Sequence, residues 1–536
     1  MKALTAAEMR EVDRITTERY GIPSLKLMDA AGKHVADAVL RRFPPEKGPR
    51  VVVLCGKGNN GGDGFAASHY LRKSGVTPAV HLFGEPRELQ GDARTNFDRY
   101  VHADGKVSVV SDEASWRDTW ASIAAADVIV DGLLGTGLRG PAKGFMARTI
   151  EAINQFSRNA QTARPALILA IDTPSGLPSD GQPAEGPVLR AHETVTFTAP
   201  KVGQLVSVDA PSVGQLTVRN IGSPRALVEE SGRSPIRWVE AEEFAEWPLI
   251  RQPDSNKGLF GHALVIAGSV GKSGAAVMAG LAALRTGAGL VTVATPQPVL
   301  PIVGTGYPEY MTEPLAATKE GTVASCNLES GRFAEASTGK TVFAVGPGLG
   351  LHPETQAFIG AVVRDSELPI VLDADGLNAF AGRADQLRDR KGAFLAITPH
   401  PGEMARLMQS TTRAVQQDRV KTATETAKRW NAHVVLKGFH TIIAAPEGPV
   451  FVSTAGNPGL AKGGSGDVLT GVLAAITAQF GTSDWARVLA LGVELHGRAA
   501  DLAIEGTDPS GILADEIAAA VPMARRAIVE ELRAHA

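Results

Sequence analysis

The chain contains the stretch Val51-Val-Val-Leu-Cys-Gly-Lys-Gly-Asn-Asn-Gly-Gly-Asp-Gly-Phe65, in which an apolar run leads into a glycine-rich segment. The apolar run predicts a buried strand, the glycines predict a tight turn, and a helix is expected from Phe65 onward. Gly56, Gly58 and Gly61 match the G-x-G-x-x-G spacing of dinucleotide-binding turns. Glycines let backbone N–H groups approach an anion closely, and a helix N-terminus favours negative charge, so this stretch predicts a phosphate-binding turn.

An alternation of short apolar runs with longer mixed segments continues through both halves of the chain. It predicts strands at 51–55, 78–83, 107–110, 128–131, 167–172 and 194–197, and again at 263–267, 290–294, 341–345, 370–373, 394–398 and 434–437. Two helices are expected before them, the first opened by the capping-box pair Thr5 and Glu8. The alternation stops between Asn220 and Trp238, where we expect a domain boundary. The pattern predicts two α/β domains with parallel sheets, the first a Rossmann-like α/β/α sandwich.

Length, charge and cysteine content narrow the class of protein. At about 150 residues per domain, 536 residues predict three to four domains or two large ones. The 54 Lys+Arg and 57 Asp+Glu residues give a net charge of −3 with no basic cluster, so no nucleic-acid partner is expected. The two cysteines, Cys55 and Cys326, provide neither a disulfide framework nor a metal-ligand spacing, which favours a reducing cytoplasm. Neither a membrane span nor an export segment is expected.

A second glycine-rich loop and two carboxylates follow strands in the first half. The loop reads Gly135-Thr-Gly-Leu-Arg-Gly140, and the carboxylates are Asp131 and Asp172. Because ligands bind at the carboxyl ends of parallel strands, both loops and both carboxylates are expected to converge on one ligand with several phosphates. Alternative interpretations stay open, since each Asp could cap a helix or turn. In the first loop, Asn59 and Asn60 could be turn formers and Asp63 could be an N-cap.

Three ordered motifs in the first half resemble those of the NAD(P)H-hydrate epimerase domain. They are Gly-Asn-Asn-Gly-Gly-Asp-Gly from Gly58, Val-Asp-Gly-Leu-Leu-Gly-Thr-Gly-Leu-Arg-Gly from Val130, and Asp-Thr-Pro-Ser-Gly from Asp172. The resemblance spans residues 1–222, and its one departure is Thr173, where the family usually has an aliphatic residue.

The resemblance implies a set of ligand residues in the first half. It implies that the hydrated dinucleotide is held by Asn59, Asn60, Gly61, Gly62, Asp63, Gly135, Thr136, Gly137, Leu138, Arg139, Gly140, Pro141 and Asp172, and that potassium is bound by Asn60, Asp131 and Ser175. Oxygen donors of this kind suit a hard cation. Asp172 is the candidate acid/base, because epimerising a hydroxyl-bearing ring carbon needs a polar pocket beside a fixed dinucleotide.

The second half contains a glycine-rich stretch that is typical of an anion hole. It reads Gly456-Asn-Pro-Gly-Leu-Ala-Lys-Gly-Gly-Ser-Gly-Asp-Val-Leu-Thr-Gly471 and leads into an apolar helix. Residues 463–466 would aim successive N–H groups at one point at the helix N-terminus. Asp467 could then take a proton from a substrate hydroxyl while the hole stabilises a transferring phosphoryl group. The alternative is a glycine-rich cap with Asp467 as an ordinary first-turn acid.

Four further segments follow strands in the second half. The first, at 267–274, is not a P-loop, because Ile266 stands where that motif needs a glycine, and we interpret it as a backbone cradle near the substrate. The others are Gly346-Pro-Gly-Leu-Gly350, Thr398-Pro-His-Pro-Gly-Glu403 and Lys437-Gly-Phe-His-Thr441. Singly, each could be a turn. With Gly-Gly-Ser-Gly-Asp they resemble the ribokinase-like, nucleotide-dependent NAD(P)H-hydrate dehydratase over residues 235–530, although Leu460 stands where Met is common.

This second resemblance also implies site residues and cofactors. It implies that the hydrated dinucleotide contacts Ala275, Gly348, His400 and Asp467, and that the adenine nucleotide is held by Lys437, Gly438, Phe439, His440, Thr441 and Gly466. Mg²⁺ is expected with ADP or ATP because nucleotide phosphates need charge neutralisation, with Glu403 as a candidate indirect ligand.

The combined interpretation is a bifunctional repair enzyme for hydrated NADH and NADPH, with epimerase and dehydratase domains. We expect a homo-oligomer, because glycine-rich α/β domains commonly associate. One rival is a fused NAD-dependent oxidoreductase and small-molecule kinase, favoured by the G-x-G-x-x-G spacing and by Glu85 at the end of the second predicted strand. A second rival is a first domain that only senses dinucleotide.

Overall fold

The computed structural model describes residues 1–137, 140–158, 166–481 and 484–535, apart from the side chains of 158 and 535. The chain divides into two compact units, Met1–Ser234 and Pro235–Ala536. Within the described residues, no helix is both long enough and apolar enough to cross a membrane.

The first unit is built on a seven-stranded sheet whose neighbouring strands are all parallel. Its strands are β1 (Val51–Cys55), β2 (Ala79–Leu82), β3 (Val107–Val109), β4 (Val128–Gly132), β5 (Leu167–Ile171), β6 (Glu193–Phe197) and β7 (Gln215–Arg219). Their order is β3-β2-β1-β4-β5-β6-β7. The order reverses between β1 and β4, and this switch point is where open parallel sheets bind ligands.

Helices cover the sheet of the first unit and bury it on both faces. They are α1 (Ala6–Glu18), α2 (Ser24–Arg42), α3 (Asn59–Lys73), α4 (Gly91–His102), α5 (Glu113–Ala124), α6 (Gly144–Arg158), α7 (Val202–Val206) and α8 (Arg225–Ser231). Alternate residues of β1 enter two separate apolar clusters, Val53 one and Leu54 the other. The predicted capping box opens α1, since Thr5 Oγ1 accepts from Glu8 N at 3.2 Å and the Glu8 carboxylate accepts from Thr5 N at 2.8 Å.

The glycine-rich segment after β1 is helical rather than a loop, so the expected helix start at Phe65 is wrong. Helix α3 begins at Asn59 with Gly58 as its N-cap. The reason is close packing: a Cβ at Gly61 would lie 1.9 Å from Gly56 O, and one at Gly62 would lie 2.7 Å from Met28 Sδ. The glycines therefore let the first turns of α3 press against neighbouring backbone and side chains.

The second unit contains a ten-stranded, mostly parallel sheet. Its strands are β8 (Ile236–Trp238), β9 (His262–Ile266), β10 (Leu290–Pro296), β11 (Met311–Leu315), β12 (Val342–Val345), β13 (Ile370–Leu372), β14 (Leu395–Ile397), β15 (His433–Leu436), β16 (Thr441–Ala444) and β17 (Val450–Ser453). The order is β11-β10-β9-β12-β13-β14-β15-β16-β17-β8. Only the β15–β16 and β16–β17 pairs are antiparallel among the described strands. The predicted fold class, two α/β domains with parallel sheets, is confirmed.

Helices also flank the second sheet. They are α9 (Ser273–Thr286), α10 (Leu300–Gly306), α11 (Cys326–Glu329), α12 (Arg332–Ser337), α13 (Pro353–Asp365), α14 (Asp375–Asn378), α15 (Pro401–Leu407), α16 (Thr412–Gln417), α17 (Arg419–Trp430), α18 (Ser465–Phe480), α19 (Trp485–Ala503) and α20 (Ala514–His535). Helices α18 and α19 supply much of one extensive apolar cluster of this unit.

Strands β7, β8, β11, β16 and β17 were missed by the sequence pattern. β7, β8 and β11 are the outermost strands of their sheets and are partly exposed, which weakens the apolar signal, whereas β16 and β17 are buried but only four residues long. β11 also carries Pro314, a residue that sheets tolerate at edges. The interval from Asn220 to Trp238, where the alternation was expected to stop, contains α8 and β8. β8 pairs with β17, more than 200 residues later, and no local pattern signals such a partner.

Candidate active sites

The first unit contains a cleft of ≈ 760 Å³ at the carboxyl ends of β1, β4 and β5. The predicted ligand residues that line it are Asn59, Asn60, Asp63, Gly135, Thr136, Gly137 and Asp172. Both glycine-rich segments therefore border one cleft.

The other predicted ligand residues of this unit are placed differently. Gly61 and Gly62 are not among the described residues that line the cleft, and they pack closely against Gly56 and Met28. Gly140 and Pro141 are described but do not line the cleft. Leu138 and Arg139 lie outside the described residues.

The three predicted potassium ligands form one connected group at the end of β4. Asp131 is fully buried, and its carboxylate accepts from Ser175 N at 2.8 Å and from Ser175 Oγ at 2.6 Å. Leu134 N donates to Ser175 Oγ at 2.8 Å, and Asn60 Nδ2 donates to Leu134 O at 3.0 Å. Burial raises the pKa of Asp131 to about 6, although the hydrogen bonds from Ser175 oppose this shift. A nearby cation would offset the cost of burying the charge.

Asp172 borders the same cleft and forms an ion pair with Lys201, whose side chain is fully buried. Thr196 Oγ1 donates to Asp172 Oδ1 at 2.9 Å and accepts from Lys201 Nζ at 2.8 Å. The backbone of Asp172 has φ +58°, an uncommon value for a non-glycine residue, and Gln204 Nε2 donates to its carbonyl oxygen at 2.6 Å. The strand-end carboxylate is thus fixed in place.

Lys201 was not singled out from the sequence. It lies 29 residues after Asp172, and its only signal is that it follows a predicted strand. A lone lysine after a strand is common on protein surfaces, so burial alone reveals its partnership with Asp172.

Two further carboxyl groups line the cleft, Asp63 in α3 and Asp13 in α1. Burial raises the pKa of Asp63 well above its usual value, and the charges of Asp172 and Asp13 add to this. Burial also raises the pKa of Asp13 to about 6, with Lys201 opposing and Asp172 adding. The cleft therefore combines one ion-paired carboxylate with two carboxyl groups that hold a proton more readily than a solvated aspartate does. Asp13 carries no motif in the sequence that predicts this position.

In the second unit, the predicted anion hole is the N-terminus of α18. The helix begins at Ser465, and its N-cap is Gly464 with φ +94°. A Cβ at Gly466 would lie 3.6 Å from Lys437 Nζ and 3.7 Å from Asp373 Oδ2, so this turn stands directly beside a charged pair. Burial and the charge of Asp373 raise the pKa of Asp467 to about 6, while Lys437 opposes the shift.

The charged pair beside α18 is held by several polar groups. Lys437 Nζ lies 2.8 Å from Asp373 Oδ1 and 3.7 Å from Glu403 Oε2. Thr398 Oγ1 donates to Asp373 Oδ1 at 2.6 Å, and Thr470 Oγ1 donates to Asp373 Oδ2 at 2.9 Å. Burial opposes the charge on Lys437, but the two carboxylates raise its pKa above the usual value. Asp373 ends a predicted strand, as Asp131 and Asp172 do, and that position was the signal by which it could have been found.

Two predicted loops of the second unit contact each other. A Cβ at Gly348 would lie 3.0 Å from Ala275 Cβ, so these two predicted substrate residues are neighbours. Ser269 Oγ donates to Gly348 O at 2.6 Å, which ties the interpreted backbone cradle to the 346–350 loop. Lys272 Nζ lies 3.0 Å from Asp375 Oδ2, two residues beyond Asp373.

His400 and Glu403 form the N-terminal cap of α15. His400 Nδ1 accepts from Gly402 N at 3.0 Å, and Glu403 Oε2 accepts from His400 N at 2.8 Å. Burial lowers the pKa of His400, which favours the neutral ring, and because Nδ1 accepts a hydrogen bond the ring proton lies on Nε2. Glu403 also lies beside Lys437, which links the predicted substrate and nucleotide residues.

The predicted nucleotide segment 437–441 connects β15 to β16. Arg419 of α17 donates to Phe439 O and, at 3.1 Å, to Leu436 O, which fixes the backbone of this turn. The half-exposed Phe439 ring stacks on His440 with ring centres 4.0 Å apart. Thr441 is the first residue of β16, and Gly438 has φ +146°.

These folds and sites define a protein of two α/β units, one with a carboxylate–lysine cleft and the other with a glycine-rich helix N-terminus beside a buried lysine–carboxylate pair. The family model described as YjeF-related protein N-terminus matches residues 24–203, and the one described as NAD(P)H-hydrate dehydratase matches residues 263–523.

Full-length relatives agree with both family models. The bifunctional NAD(P)H-hydrate repair enzyme Nnr of Moorella thermoacetica is 38% identical over 99% of this chain and 98% of its own length. The enzyme of the same name from Thermofilum pendens is 37% identical over 99% of this chain and 97% of its own length.

A solved structure is similar to part of the chain. The ADP/ATP-dependent NAD(P)H-hydrate dehydratase from Bacillus subtilis, co-crystallized with ATP/Mg²⁺, is 30% identical, and the match covers 54% of this chain and 97% of that one, with a TM-score of 0.46.

The chain belongs to the family of bifunctional NAD(P)H-hydrate repair enzymes. The prediction of a bifunctional repair enzyme for hydrated NADH and NADPH, with an NAD(P)H-hydrate dehydratase in its second half, is thereby confirmed.

Proposed function

We propose that the chain returns hydrated NADH and NADPH to their functional form in two steps. Residues 1–222 interconvert the R and S epimers, and residues 235–530 dehydrate the S epimer while ADP becomes AMP and phosphate, or ATP becomes ADP and phosphate. The observation that carries this proposal is the full-length match to bifunctional repair enzymes. Fusion makes chemical sense, because a stereospecific dehydratase alone would leave the other epimer unrepaired.

In the epimerase site, we assign the acid/base role to Asp172. Its carboxylate borders the cleft, and Lys201 and Thr196 hold it in one orientation. Proton transfer by a positioned side chain is the usual requirement for chemistry at a hydroxyl-bearing carbon. The dinucleotide would lie along Asn59, Asp63 and the 135–137 loop, where first-turn N–H groups of α3 are available to its phosphates.

Potassium is proposed at Asn60, Asp131 and Ser175. The donor set fits the ion, because it offers amide, carboxylate and hydroxyl oxygens. The pKa of Asp131 is raised by burial with no opposing charge from any described side chain, and a bound monovalent cation would supply that charge. When bound, the ion would stabilise the 133–135 backbone next to the substrate.

In the dehydratase site, we propose that Asp467 acts as the base. The ring hydroxyl oxygen attacks the terminal phosphorus of the nucleotide, its proton moves to the Asp467 carboxylate, and the bond from phosphorus to the nucleotide oxygen breaks. The N-terminus of α18 and the ammonium of Lys437 stabilise the negative charge on the transferring group. Phosphate then leaves with the electron pair of the carbon–oxygen bond, the adjacent carbon loses a proton to solvent water, and the carbon–hydrogen bonding pair restores the ring double bond.

The remaining assignments in this site follow the resemblance. Ala275, Gly348 and His400 would contact the hydrate, while Gly438, Phe439, His440, Thr441 and Gly466 would hold the nucleotide. Mg²⁺ would accompany the nucleotide and neutralise its phosphates. Glu403 is buried against His400 N and Lys437, so any contact to the ion would be indirect.

Localisation and assembly are part of the proposal. We propose a cytoplasmic enzyme, supported by two free cysteines that are far apart in sequence. We also propose a homo-oligomer, which size-exclusion chromatography with light scattering tests directly.

The decisive experiment mixes the purified chain with R and S hydrates of NADH, adds ADP or ATP in turn, and follows reduced-nicotinamide absorbance. We expect complete recovery of both epimers with nucleotide, and epimer exchange alone without it. Recovery of only the S epimer would contradict the epimerase assignment and favour a sensing domain. A stable phosphorylated product without recovered absorbance would favour the oxidoreductase and kinase alternative.

A further inference from the structure

Helix α1 presents one face to the cleft of the first unit. The residues of this face that line the cleft are Met9, Arg10, Asp13, Arg14 and Thr17. Their spacing is that of neighbouring positions on one side of an α-helix. The matching family model begins at residue 24, so this helix lies outside the matched segment.

The position of α1 is fixed by backbone pairing to the segment that carries Lys201. Leu4 forms a parallel bridge with Lys201, Leu4 N donates to Pro200 O at 2.9 Å, and Val202 N donates to Leu4 O at 3.0 Å. Because the helix starts immediately after this bridge, Asp13 is held at a defined place relative to the Lys201–Asp172 pair.

The Asp13 carboxyl differs from that of Asp172 in its surroundings. Asp172 has hydrogen bonds from Lys201 and Thr196. Asp13 Oδ1 is buried, and within the described part of the chain it has no hydrogen-bond partner. An unpartnered buried oxygen disfavours the charged form of a carboxyl group, so this environment favours a protonated Asp13 at the wall of the cleft that the residue lines.

We propose that Asp13 is a second catalytic residue of the epimerase site, the general acid that protonates the ring hydroxyl of the hydrate, while Asp172 is the base for the water that replaces it. The inference rests on the proposed epimerase function and deepens it.

The proton of the Asp13 carboxyl moves to the hydroxyl oxygen, the carbon–oxygen bond breaks, and water leaves with the bonding electrons. The ring-nitrogen lone pair forms a carbon–nitrogen double bond, which gives a planar iminium ion. Solvent water then adds to the opposite ring face, its surplus proton goes to the Asp172 carboxylate, and the π electrons return to nitrogen. Proton exchange with solvent resets both carboxyl groups.

The electrostatics of the cleft support this division of roles. Burial raises the pKa of Asp13 to about 6, and the groups that face it from other elements are Lys201, Asp172 and Asp63. On its own helix, Arg10 and Arg14 also line the cleft. Two carboxyl groups whose environments differ in this way are a recurring source of acid and base pairs in enzymes.

The test compares Asp13→Asn with the unaltered full-length chain on an R/S mixture with excess nucleotide. General acid catalysis contributes about 10²–10⁴-fold, so we expect epimer exchange to slow by about that factor. The dehydratase in the same chain then recovers only the S portion at the normal rate, which shows that the second unit is intact, and an unchanged thermal unfolding transition of the first unit shows that the variant is folded. Asp37→Asn, an exposed aspartate on α2, is the matched control and should recover both portions. Exchange by Asp13→Asn at the unaltered rate would overturn the proposal.

Two measurements on the unaltered chain test the proposal without a substitution. In H₂¹⁸O, each conversion of one epimer into the other should place one ¹⁸O on the ring carbon, because the original hydroxyl leaves as water. Conversion that keeps the original oxygen overturns the proposal. The kcat/KM for exchange should fall as pH rises through about 6, and a profile without this limb also overturns it. Failure of the unaltered chain to exchange epimers at all would instead contradict the epimerase function.

Discussion

Lys437 Nζ lies 2.8 Å from Asp373 Oδ1, and this contact joins the ends of β15 and β13 directly beside the N-terminus of α18. The pair therefore fixes the position of the Lys437 ammonium next to the predicted anion hole. Its two charges also act on the pKa of Asp467, which Asp373 raises and Lys437 lowers. It connects a predicted nucleotide residue with a carboxylate that no sequence motif marks.

Asp373→Asn should act on the dehydratase as a positioning change. It removes a negative charge that raises the pKa of Asp467, so the pH at which the dehydratase becomes active should move to lower values. The measurement is the pH profile of nucleotide-dependent NADH recovery from S hydrate. Epimer exchange by the first unit serves as the control and should not change. A lower rate with an unshifted profile would show that Asp373 has only a structural role.

The pH dependence of the unaltered dehydratase follows from Asp467. A base must be ionised to accept a proton, so kcat/KM should rise about tenfold per pH unit up to about 6, where the raised pKa lies, and then level off. Asp467→Asn should abolish NADH recovery. A normal rate for that variant would exclude Asp467 as the base.

Asp172→Asn tests the acid/base of the epimerase site. An asparagine of the same shape keeps the hydrogen bond from Thr196 but cannot carry the proton, so exchange should slow by about 10²–10⁴-fold while dinucleotide still binds. Exchange is followed by chromatographic separation of the epimers, and binding by calorimetry with NADPH. Unchanged exchange would remove Asp172 from the mechanism.

Gly61→Ala tests whether α3 needs its glycines for packing. A new Cβ would lie 1.9 Å from Gly56 O, and overpacking of this kind costs about 1–3 kcal/mol of stability. The matched control is Gly360→Ala in α13, where a Cβ would meet no described atom within 4 Å. This substitution should stabilise the helix by about 1 kcal/mol, because alanine has the higher helix propensity. Chemical denaturation measures both, and equal effects of the two substitutions would contradict the packing argument.

Potassium should stabilise the first unit. At tenfold excess over its Kd, a ligand that binds only the folded state adds about 1.4 kcal/mol. Thermal unfolding in KCl should therefore occur at a higher temperature than in tetramethylammonium chloride at equal ionic strength. Ser175→Ala removes a proposed ligand and should abolish the difference. A difference that survives this substitution would place the cation elsewhere.

Much of the fold was predictable because it is encoded locally. Strands such as β1 and β4 are buried on both faces and appear in the sequence as continuous apolar runs. The capping-box pair Thr5 and Glu8 predicts the start of α1. Edge strands such as β7 and β11 lack this signal. The helix start at Asn59 was missed because glycine disfavours helices intrinsically, and only the contacts of Gly61 and Gly62 explain why the helix begins there.

By itself, the sequence determined the two α/β units, the glycine-rich segments and the strand-end carboxylates Asp131 and Asp172, because each depends on residues adjacent in the chain. Only the tertiary structure decided which charged groups share a cleft. Asp13, Lys201 and Asp373 carry no distinctive local pattern, and each acquires its role through burial and through partners far away in sequence. The energy of a charge depends on its surroundings in space, and those surroundings exist only once the chain has folded.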